Sequence, residues 1–210
     1  MPGWLETSGV VGEWVELGKG DLAAIPADKF GAAATTLIGV FDLISGMGMA
    51  KGDMDKNANT VKAAAEANSG KTLQELVDAE CAGKTPKEIK KIAGDGKTTT
   101  CALLWLVRAL YFILKLLEPL VSQPDLKLGE CVGKGYEVSL KPHHGMMIKG
   151  TFSVALKAAP KRETFIAQLA ESQEEAFKQI NEVTPVVSKM LESLNSKLIA
   201  TDADSLTAYK

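Results

Sequence analysis

Residues 101–114 form an almost wholly apolar run, CALLWLVRALYFIL, that is interrupted by a single arginine. A helix that is apolar on every side must be surrounded either by lipid or by other helices. A membrane span needs about 20 predominantly apolar residues, but Arg108 lies within this run, Lys115 follows it, and Glu118-Pro119 closes it. Because each such cation opposes insertion by about 2.5–3.5 kcal/mol at a bilayer centre, we predict the central helix of a soluble, all-α core.

The size and charge of the chain fit one globular domain without a nucleic-acid partner. Its 210 residues are 46% hydrophobic and 24% charged, which is an ordinary globular composition. The formal net charge is -2, and the sequence has no clustered patch of Lys and Arg of the kind that neutralises phosphates. We therefore expect one sizeable core and no nucleic acid among the partners.

The cysteines Cys81, Cys101 and Cys131 are widely spaced, and no CxxC pair occurs. This pattern predicts neither a disulfide framework nor a zinc site, so we expect no metal, no cofactor and a reducing, cytoplasmic location. The first residues lack the basic region and apolar core of a secretory signal, and neither end carries a lipidation motif.

Turn residues divide the chain into an irregular segment and one helical domain. Residues 1–28 are rich in Gly and carry two prolines, so we predict an irregular, loosely attached segment there, followed by a single all-α domain over residues 29–210. No alternating pattern of useful length predicts a strand. Beside the central helix, we predict helices over 30–49 and 53–68, a short helix after the capping box at Thr72, and a charged connector over 84–97. Residues 138–156 predict apolar helix on either side of 141–144, where Pro142 forces a local start or kink. Two amphipathic helices are predicted within 161–198, and they divide at Thr184-Pro185.

Asp53, Asn57 and Thr60 follow one another at the spacing i, i+4 and i+7. This spacing places the three side chains on one face of their helix, beside its apolar stripe. A carboxylate beside an amide is suited to holding vicinal hydroxyl groups. The alternative is an ordinary solvated helix face.

Trp105 and Arg108 project from neighbouring positions of the central helix. An indole offers a broad apolar plate to a sugar ring, and the alternative is simple core filling. Arg108 is expected to be structural, because an unpaired guanidinium in a dry core is costly. Asp53 and Asp42 are its candidate partners.

His143 and His144 are adjacent, so on a helix their rings diverge and do not face one metal ion. One of them is a candidate hydrogen-bonding group, and the alternative is a histidine satisfied within the core. No nucleotide-binding or hydrolase motif is present in the sequence. We therefore predict that the protein is not an enzyme.

Four motifs in register resemble the glycolipid transfer protein family. The resemblance covers the chain from about residue 30 to the C-terminus, and it implies an all-α, two-layer helical sandwich whose layers part to admit sphingolipid chains. The motifs are Asp53-x3-Asn57, LWLVRAL at 104–110, KPHHG at 141–145, and Ala158-Ala159-Pro160 followed by Phe165.

The resemblance also implies roles for single residues. Asp53 and Asn57 would hydrogen-bond the first sugar and, in the case of Asp53, the ceramide amide. Trp105 would stack under the sugar ring, and His144 would meet the amide carbonyl. Tyr209 looks like the C-terminal tyrosine of the family's headgroup site.

A second branch of the family, which carries ceramide 1-phosphate, differs at three positions. It has a lysine in place of Asn57 and arginines in place of Trp105 and Cys101. A doubly charged phosphate would lack its charge-assisted partners here, so we predict a neutral sugar headgroup.

Two residues depart from the sugar-binding branch. Thr60 stands where a lysine is usual, so one long donor is lost, and Lys56 is a candidate substitute. Met146 stands where a membrane-dipping tryptophan is often found. We therefore expect a headgroup site that includes Thr60 and differs from typical members in its range of headgroups or its affinity. We also expect docking to the membrane to be weaker, or to use Trp4, Trp14 or Met147 instead.

The predicted function is that of a monomeric carrier, transiently peripheral to membranes, that binds a glycosphingolipid and moves it reversibly between them. Exposed hydrocarbon costs about 0.8 kcal/mol per CH2, so a carrier must offer an apolar pocket in place of the bilayer. The alternatives are a ceramide 1-phosphate-type carrier, a lipid sensor or adaptor that does not transfer, and a plain helical interaction protein. The side chains predicted to line or adjoin the pocket are Phe30, Leu37, Phe41, Leu103, Leu110, Phe152 and Val154.

Overall fold

The computed structural model describes residues 2–204, and this part of the chain holds eleven α-helices and no β-strand. Two short 3-10 turns lie at Gly39–Leu43 and Lys141–His143. The helices are α1 (Trp4–Thr7), α2 (Val10–Gly18), α3 (Ala27–Ile38), α4 (Gly48–Ala67), α5 (Leu73–Cys81), α6 (Pro86–Ala93), α7 (Thr99–Ser122), α8 (Leu128–Val138), α9 (Met146–Lys157), α10 (Arg162–Leu169) and α11 (Gln173–Ala200).

The central helix of the molecule is α7, which contacts α3, α4, α5, α6, α8 and α11. By length and composition alone it could cross a membrane, but 89% of its most apolar window is buried inside the protein. It is therefore a core helix, as predicted. Its predicted end at Glu118-Pro119 is wrong, because burial of Pro119 and Leu120 outweighs the one backbone hydrogen bond that the proline lacks.

The first turn of α7 is fastened by two caps. The Thr98 hydroxyl accepts a hydrogen bond from the Cys101 N–H at 3.2 Å. From α5, the Glu80 carboxylate accepts hydrogen bonds from the backbone N–H groups of Thr99 and Thr100 at 2.8 and 2.7 Å. A carboxylate at a helix N-terminus also interacts favourably with the helix dipole. These contacts fix the position of the helix that carries Trp105.

The N-terminal segment is helical and well packed, so the prediction of an irregular, loosely attached segment over residues 1–28 is wrong. Trp14 of α2 is fully buried, donates its indole N–H to the Ala33 carbonyl at 3.2 Å, and meets Phe30 edge to face at 5.7 Å. Gly9, with φ 79°, is the N-cap of α2. The glycines of this segment therefore punctuate short helices that pack on the core.

Two further predicted boundaries are wrong. The charged connector contains α6, which begins with a capping box between Thr85 and Glu88 and has proline at its first position. The predicted break at Thr184-Pro185 lies inside α11, because the buried apolar stripe continues through Val183 and Val187 on either side of the proline. The break falls instead at 170–172, between α10 and α11. The predicted capping box at Thr72 is confirmed at the start of α5.

Candidate functional site

A cavity of about 270 Å³ lies between α4, α7 and α9. Most of its lining side chains are apolar, and six polar or aromatic ones join them, namely Asp53, Asn57, Trp105, His144, Thr151 and Phe152. Two of its apolar residues, Met49 and Ile148, are 76% and 50% exposed, so they mark the open end. The cavity is thus an apolar chamber with a polar group of side chains in its wall.

The residues that α4 contributes lie on successive turns. Asp53 is exposed, Asn57 is half-buried, and the Asn57 amide donates to the backbone carbonyl of Asp53 at 3.0 Å. The adjacent apolar stripe of α4 fixes this orientation, because Met54 and Ala58 are buried beside them. The structure therefore brings Asp53 and Asn57 to the cavity on one helix face, as their spacing predicts.

Thr60 does not join them. It lies seven residues beyond Asp53, which is about 10.5 Å along a helix axis at 1.5 Å per residue. Its hydroxyl donates to the Lys56 carbonyl at 3.0 Å, and it lines a separate shallow groove with Lys56 and Lys97. Thr60 therefore lies on the same face of α4 as Asp53 and Asn57 but outside the cavity wall.

Trp105 is half-buried and contacts both histidine rings. Its indole is nearly parallel to the His144 ring, at 20° and 5.8 Å between centroids, and edge to face with His143 at 78° and 6.1 Å. The Arg108 guanidinium carbon lies 5.1 Å from the indole centroid, within the range of a cation–π contact. The indole therefore has three ring or cation neighbours and still lines the cavity.

His144 is held by Tyr136, which no sequence pattern indicated. Its Nδ1 lies 3.1 Å from the Tyr136 hydroxyl, and Tyr136 in turn stacks on Phe152 at 3.7 Å. Burial lowers the pKa of His144 below its ordinary 6.5, although Asp53 acts in the opposite direction. In the tautomer of the neutral ring in which Nδ1 accepts from the tyrosine, Nε2 carries the proton and is a hydrogen-bond donor.

His143 is also neutral at physiological pH. Its burial, followed by the positive charge of Arg108, lowers its pKa from 6.5 to about 4. No sequence pattern predicted this, since the shift depends on the packing of the 3-10 turn against α7.

The partner of Arg108 is Asp204, so the predicted partners Asp53 and Asp42 are both wrong. The guanidinium Nη2 lies 3.0 Å from the Asp204 carboxylate, and both side chains are buried. Asp42 instead lies 3.5 Å from the Lys51 ammonium. Asp204 follows α11, and 96 positions separate it from Arg108, so no local pattern could have indicated the pair.

Among the side chains predicted for the apolar pocket, the structure places only Phe152 in the cavity wall. Val154 is 69% exposed, so its prediction is wrong. The other predicted side chains are buried in the core and are not among those that line this cavity. They are Phe30, Leu37, Phe41, Leu103 and Leu110.

Methionines that were not predicted line the cavity instead. Met47, Met49 and Met54 come from the start of α4 and the turn before it. The cluster of methionines in this stretch was a usable signal, because unbranched thioether side chains adapt to irregular apolar ligands. Tyr209 lies outside the described residues, and within residues 2–204 no group of three or more His, Cys, Asp or Glu is placed to hold a metal ion.

Comparisons with known proteins agree on one family. The model of the family described as glycolipid transfer protein (GLTP) matches residues 25–171. The chain is 34% identical over 166 residues to a glycolipid transfer protein of Danio rerio, covering 71% of this chain and 76% of that protein. It is 28% identical over 176 residues to glycolipid transfer protein 2 of Arabidopsis thaliana, covering 82% and 75%.

Solved structures give the same result. A fungal glycolipid transfer protein superposes with a TM-score of 0.75 at 26% identity, covering 91% of this chain and 100% of that one. Mouse ceramide-1-phosphate transfer protein superposes with a TM-score of 0.81 at 17% identity, covering 95% and 98%, which shows the fold alone. The predicted all-α, two-layer sandwich is confirmed. From the family model, the relatives and the shared fold, we conclude that this chain belongs to the glycolipid transfer protein family.

Proposed function

We propose that this protein binds a glycosphingolipid, with the sugar at the open end of the cavity and the ceramide chains inside it, and transfers it reversibly between membranes. One observation carries the proposal. A carboxylate, an amide, a half-buried indole and a neutral imidazole converge on one apolar chamber, at Asp53, Asn57, Trp105 and His144.

Each of these groups suits one part of such a lipid. Asp53 accepts hydrogen bonds from sugar hydroxyls or the amide N–H, and the Asn57 amide both donates and accepts. Trp105 offers an apolar plate to the C–H face of the sugar. The protonated ring nitrogen of His144 donates to the amide carbonyl. Specificity follows because an unpaired buried polar group costs about 1–3 kcal/mol.

The charges around the cavity favour an uncharged headgroup. Among the described residues that line the cavity, none is Lys or Arg, and Asp53 is an acid. The nearby guanidinium of Arg108 is paired with Asp204. A phosphate would meet a carboxylate rather than the cations that make charge-assisted hydrogen bonds.

The cavity must widen to take both hydrocarbon chains. At about 30 Å³ for a group the size of a water molecule, its 270 Å³ holds less than one long acyl chain. Because its walls come from different helices, separation of α9 from α4 would enlarge it. The free energy of moving the lipid from the bilayer to the protein then stays near zero, since its CH2 groups leave one apolar environment for another.

An apolar rim beside the opening provides the proposed membrane contact. Met146 and Met147, at the start of α9, are 90% and 86% exposed, and Met49 and Ile148 lie next to the cavity. Such side chains enter the interface of a bilayer, and contact through a few apolar side chains is reversible. We propose transient docking through this rim.

A transfer assay tests the main proposal. Vesicles containing glucosylceramide, ceramide 1-phosphate or sphingomyelin are donors, and we expect transfer of glucosylceramide alone. Asn57→Ala should slow this transfer several-fold, whereas Asn59→Ala, on the same helix but outside the cavity lining, should not. Equal transfer by both variants, or preference for ceramide 1-phosphate, would contradict the proposal.

The docking rim needs a separate test. Met146→Ser combined with Met147→Ser should reduce binding to glycolipid-free vesicles and slow transfer, while affinity for a water-soluble short-chain glucosylceramide is unchanged. Val154→Ser is the matched control, because Val154 is exposed on the same helix and lies away from the cavity lining. If the control slows transfer as much, the docking rim is misplaced.

We further propose a monomer located in the cytoplasm. Cys81, Cys101 and Cys131 are all free and buried, which suits a reducing compartment. Sedimentation without and with lipid measures the oligomeric state, and a stable dimer in the lipid-free protein would contradict the proposed monomer.

A further inference from the structure

A buried ion pair lies behind the indole of the proposed headgroup site. The Arg108 and Asp204 side chains are only 8% and 5% exposed, and their charged groups are 3.0 Å apart. The same guanidinium contacts the Trp105 ring at 5.1 Å. One acidic side chain from the end of α11 is thereby linked through an arginine to the indole on α7.

The backbone at the end of α11 aims Asp204 inward. The Asp202 N–H donates to the Ile199 carbonyl at 3.0 Å, and the Ala203 N–H donates to the Leu198 carbonyl at 2.9 Å. With Asp202 at φ 58°, this is a Schellman motif, which reverses the chain after a helix. The reversal carries Asp204 to the buried guanidinium of Arg108.

The orientation of Arg108 depends on this carboxylate. Its Nε is buried and has no hydrogen-bond partner within residues 2–204, so the ion pair at Nη2 is a main restraint on the plane of the guanidinium. A long, flexible side chain without that restraint has several rotamers open to it. The contact with the indole would then be lost in part.

The charge of the pair matters as well. A lone guanidinium beside the site would attract anions, whereas the pair has no net charge. His143 lies next to the same groups, because both Arg108 and Asp204 influence its pKa. The ion pair therefore leaves no net charge on this side of Trp105.

We infer that Asp204 is a positioning residue for the headgroup site, which acts through Arg108 to hold the Trp105 indole in place and to keep the site selective for uncharged sugars. This inference rests on the proposed glycolipid function and assigns part of its specificity to a residue outside the cavity wall. It does not require any contact between Asp204 and the lipid.

The test must separate positioning from a simple tie between α7 and α11. Asp78→Asn is a matched control, because Asp78 also forms an ion pair with α11, through Lys197, and that pair is partly exposed and away from the cavity. Both Asp78→Asn and Asp204→Asn remove one carboxylate charge from a pair that involves the α11 region.

The measurements are affinity for vesicles that contain glucosylceramide or ceramide, and the NMR resonance of the Trp105 indole N–H. The chain has three tryptophans, so Trp105→Phe assigns the resonance. For Asp204→Asn we expect the preference for glucosylceramide over ceramide to fall on the order of tenfold, with a shifted indole resonance. Asp78→Asn should leave both unchanged.

A second variant keeps the inference testable if Asp204→Asn does not fold. Arg108→Met combined with Asp204→Asn removes both buried charges, a change that often restores stability. We expect this folded double variant still to show the shifted resonance and the reduced sugar preference.

Two outcomes would overturn the inference. One is a double variant with the parent's resonance and lipid preference. The other is an equal loss of glucosylceramide and ceramide binding in Asp204→Asn, which indicates a structural tie only. If the parent protein itself fails to prefer glucosylceramide, the proposed function fails instead, and the lipid-free indole resonance alone decides whether Asp204 positions Trp105.

Discussion

The imidazole of His144 lies nearly parallel to the indole of Trp105, with 5.8 Å between the ring centroids and 20° between the planes. The same imidazole is 3.1 Å from the Tyr136 hydroxyl. In the proposed site, this one ring therefore adjoins the sugar platform and donates to the amide carbonyl of the lipid. The two halves of the proposed site, for sugar and for ceramide, meet at this histidine.

His144→Phe should therefore weaken glycolipid binding by about 1–3 kcal/mol, because it keeps a ring against Trp105 but leaves the lipid carbonyl without a donor. Tyr136→Phe should cost about 1 kcal/mol or less, since it removes only the group that orients the imidazole. Titration with short-chain glucosylceramide measures both. Unchanged affinity in His144→Phe would remove His144 from the proposed site.

The sequence predicted the parts of this site that depend on one helix. The spacing of Asp53 and Asn57 fixes them on one face of α4, and the apolar run around Trp105, interrupted by Arg108, predicted the central core helix. Local capping chemistry likewise located the start of α5 at Thr72. These inferences need only helical periodicity and backbone hydrogen bonding.

What the sequence did not predict depends on packing between distant segments. The Arg108 partner is 96 positions away, and Tyr136 becomes relevant only because α8 lies beside the turn that carries His144. The cavity lining also follows from how α4 and α9 face each other, so hydrophobicity alone did not identify its methionines. Pro119 and Pro185 were wrongly predicted to end helices. Each lies inside a helix, because the burial of side chains on both sides of it outweighs one lost backbone hydrogen bond.

His143 should make stability depend on pH in the weakly acidic range. Burial, then Arg108, lowers its pKa from 6.5 to about 4, while Asp204 raises it and His144 lowers it. Between these two values the unfolded chain binds a proton that the folded protein does not, so the free energy of unfolding falls as pH drops from about 6.5 to about 4. Below about 4 this contribution no longer changes.

Urea denaturation of the parent and of His143→Gln at pH 7, 5.5 and 4.5 checks this dependence. The variant should lose less stability between pH 7 and 4.5, because it carries one fewer group that titrates on unfolding. His144, whose pKa is also lowered by burial, should leave a residual slope. Identical pH profiles for the two proteins would refute the assignment to His143.

Glu80→Gln should destabilise the protein by about 1–2 kcal/mol at pH 7, since the charged cap of α7 is lost. Burial raises the pKa of Glu80, but hydrogen bonds from Thr100 and Thr99 outweigh it, so the pKa lies below the ordinary 4.5. A lowered carboxyl pKa stabilises the fold above about pH 4.5, and this contribution is lost as pH falls through the folded-state value.

Denaturation at pH 7 and pH 3 compares Glu80→Gln with Glu66→Gln, a change at an exposed position of α4. The stability difference between parent and Glu80→Gln should shrink at pH 3, and Glu66→Gln should stay within about 0.5 kcal/mol of the parent throughout. A deficit that persists unchanged at the lower pH would mean that the lost charge is not its cause.

Asp202 should tolerate glycine better than any β-branched residue. Its φ of 58° lies in the left-handed region, which costs a side chain with a Cβ about 1–2 kcal/mol and glycine almost nothing. We expect Asp202→Gly to match or exceed the parent's stability by up to about 1 kcal/mol, and Asp202→Val to lose about 1–2 kcal/mol. Asp125→Val, at an exposed loop position without a positive φ, is the control and should change stability by less than about 0.5 kcal/mol.

Because the same turn aims Asp204 at Arg108, Asp202→Val should also shift the Trp105 indole resonance, and Asp202→Gly should not. Equal stability of the glycine and valine variants would show that the end of α11 does not keep this turn in solution.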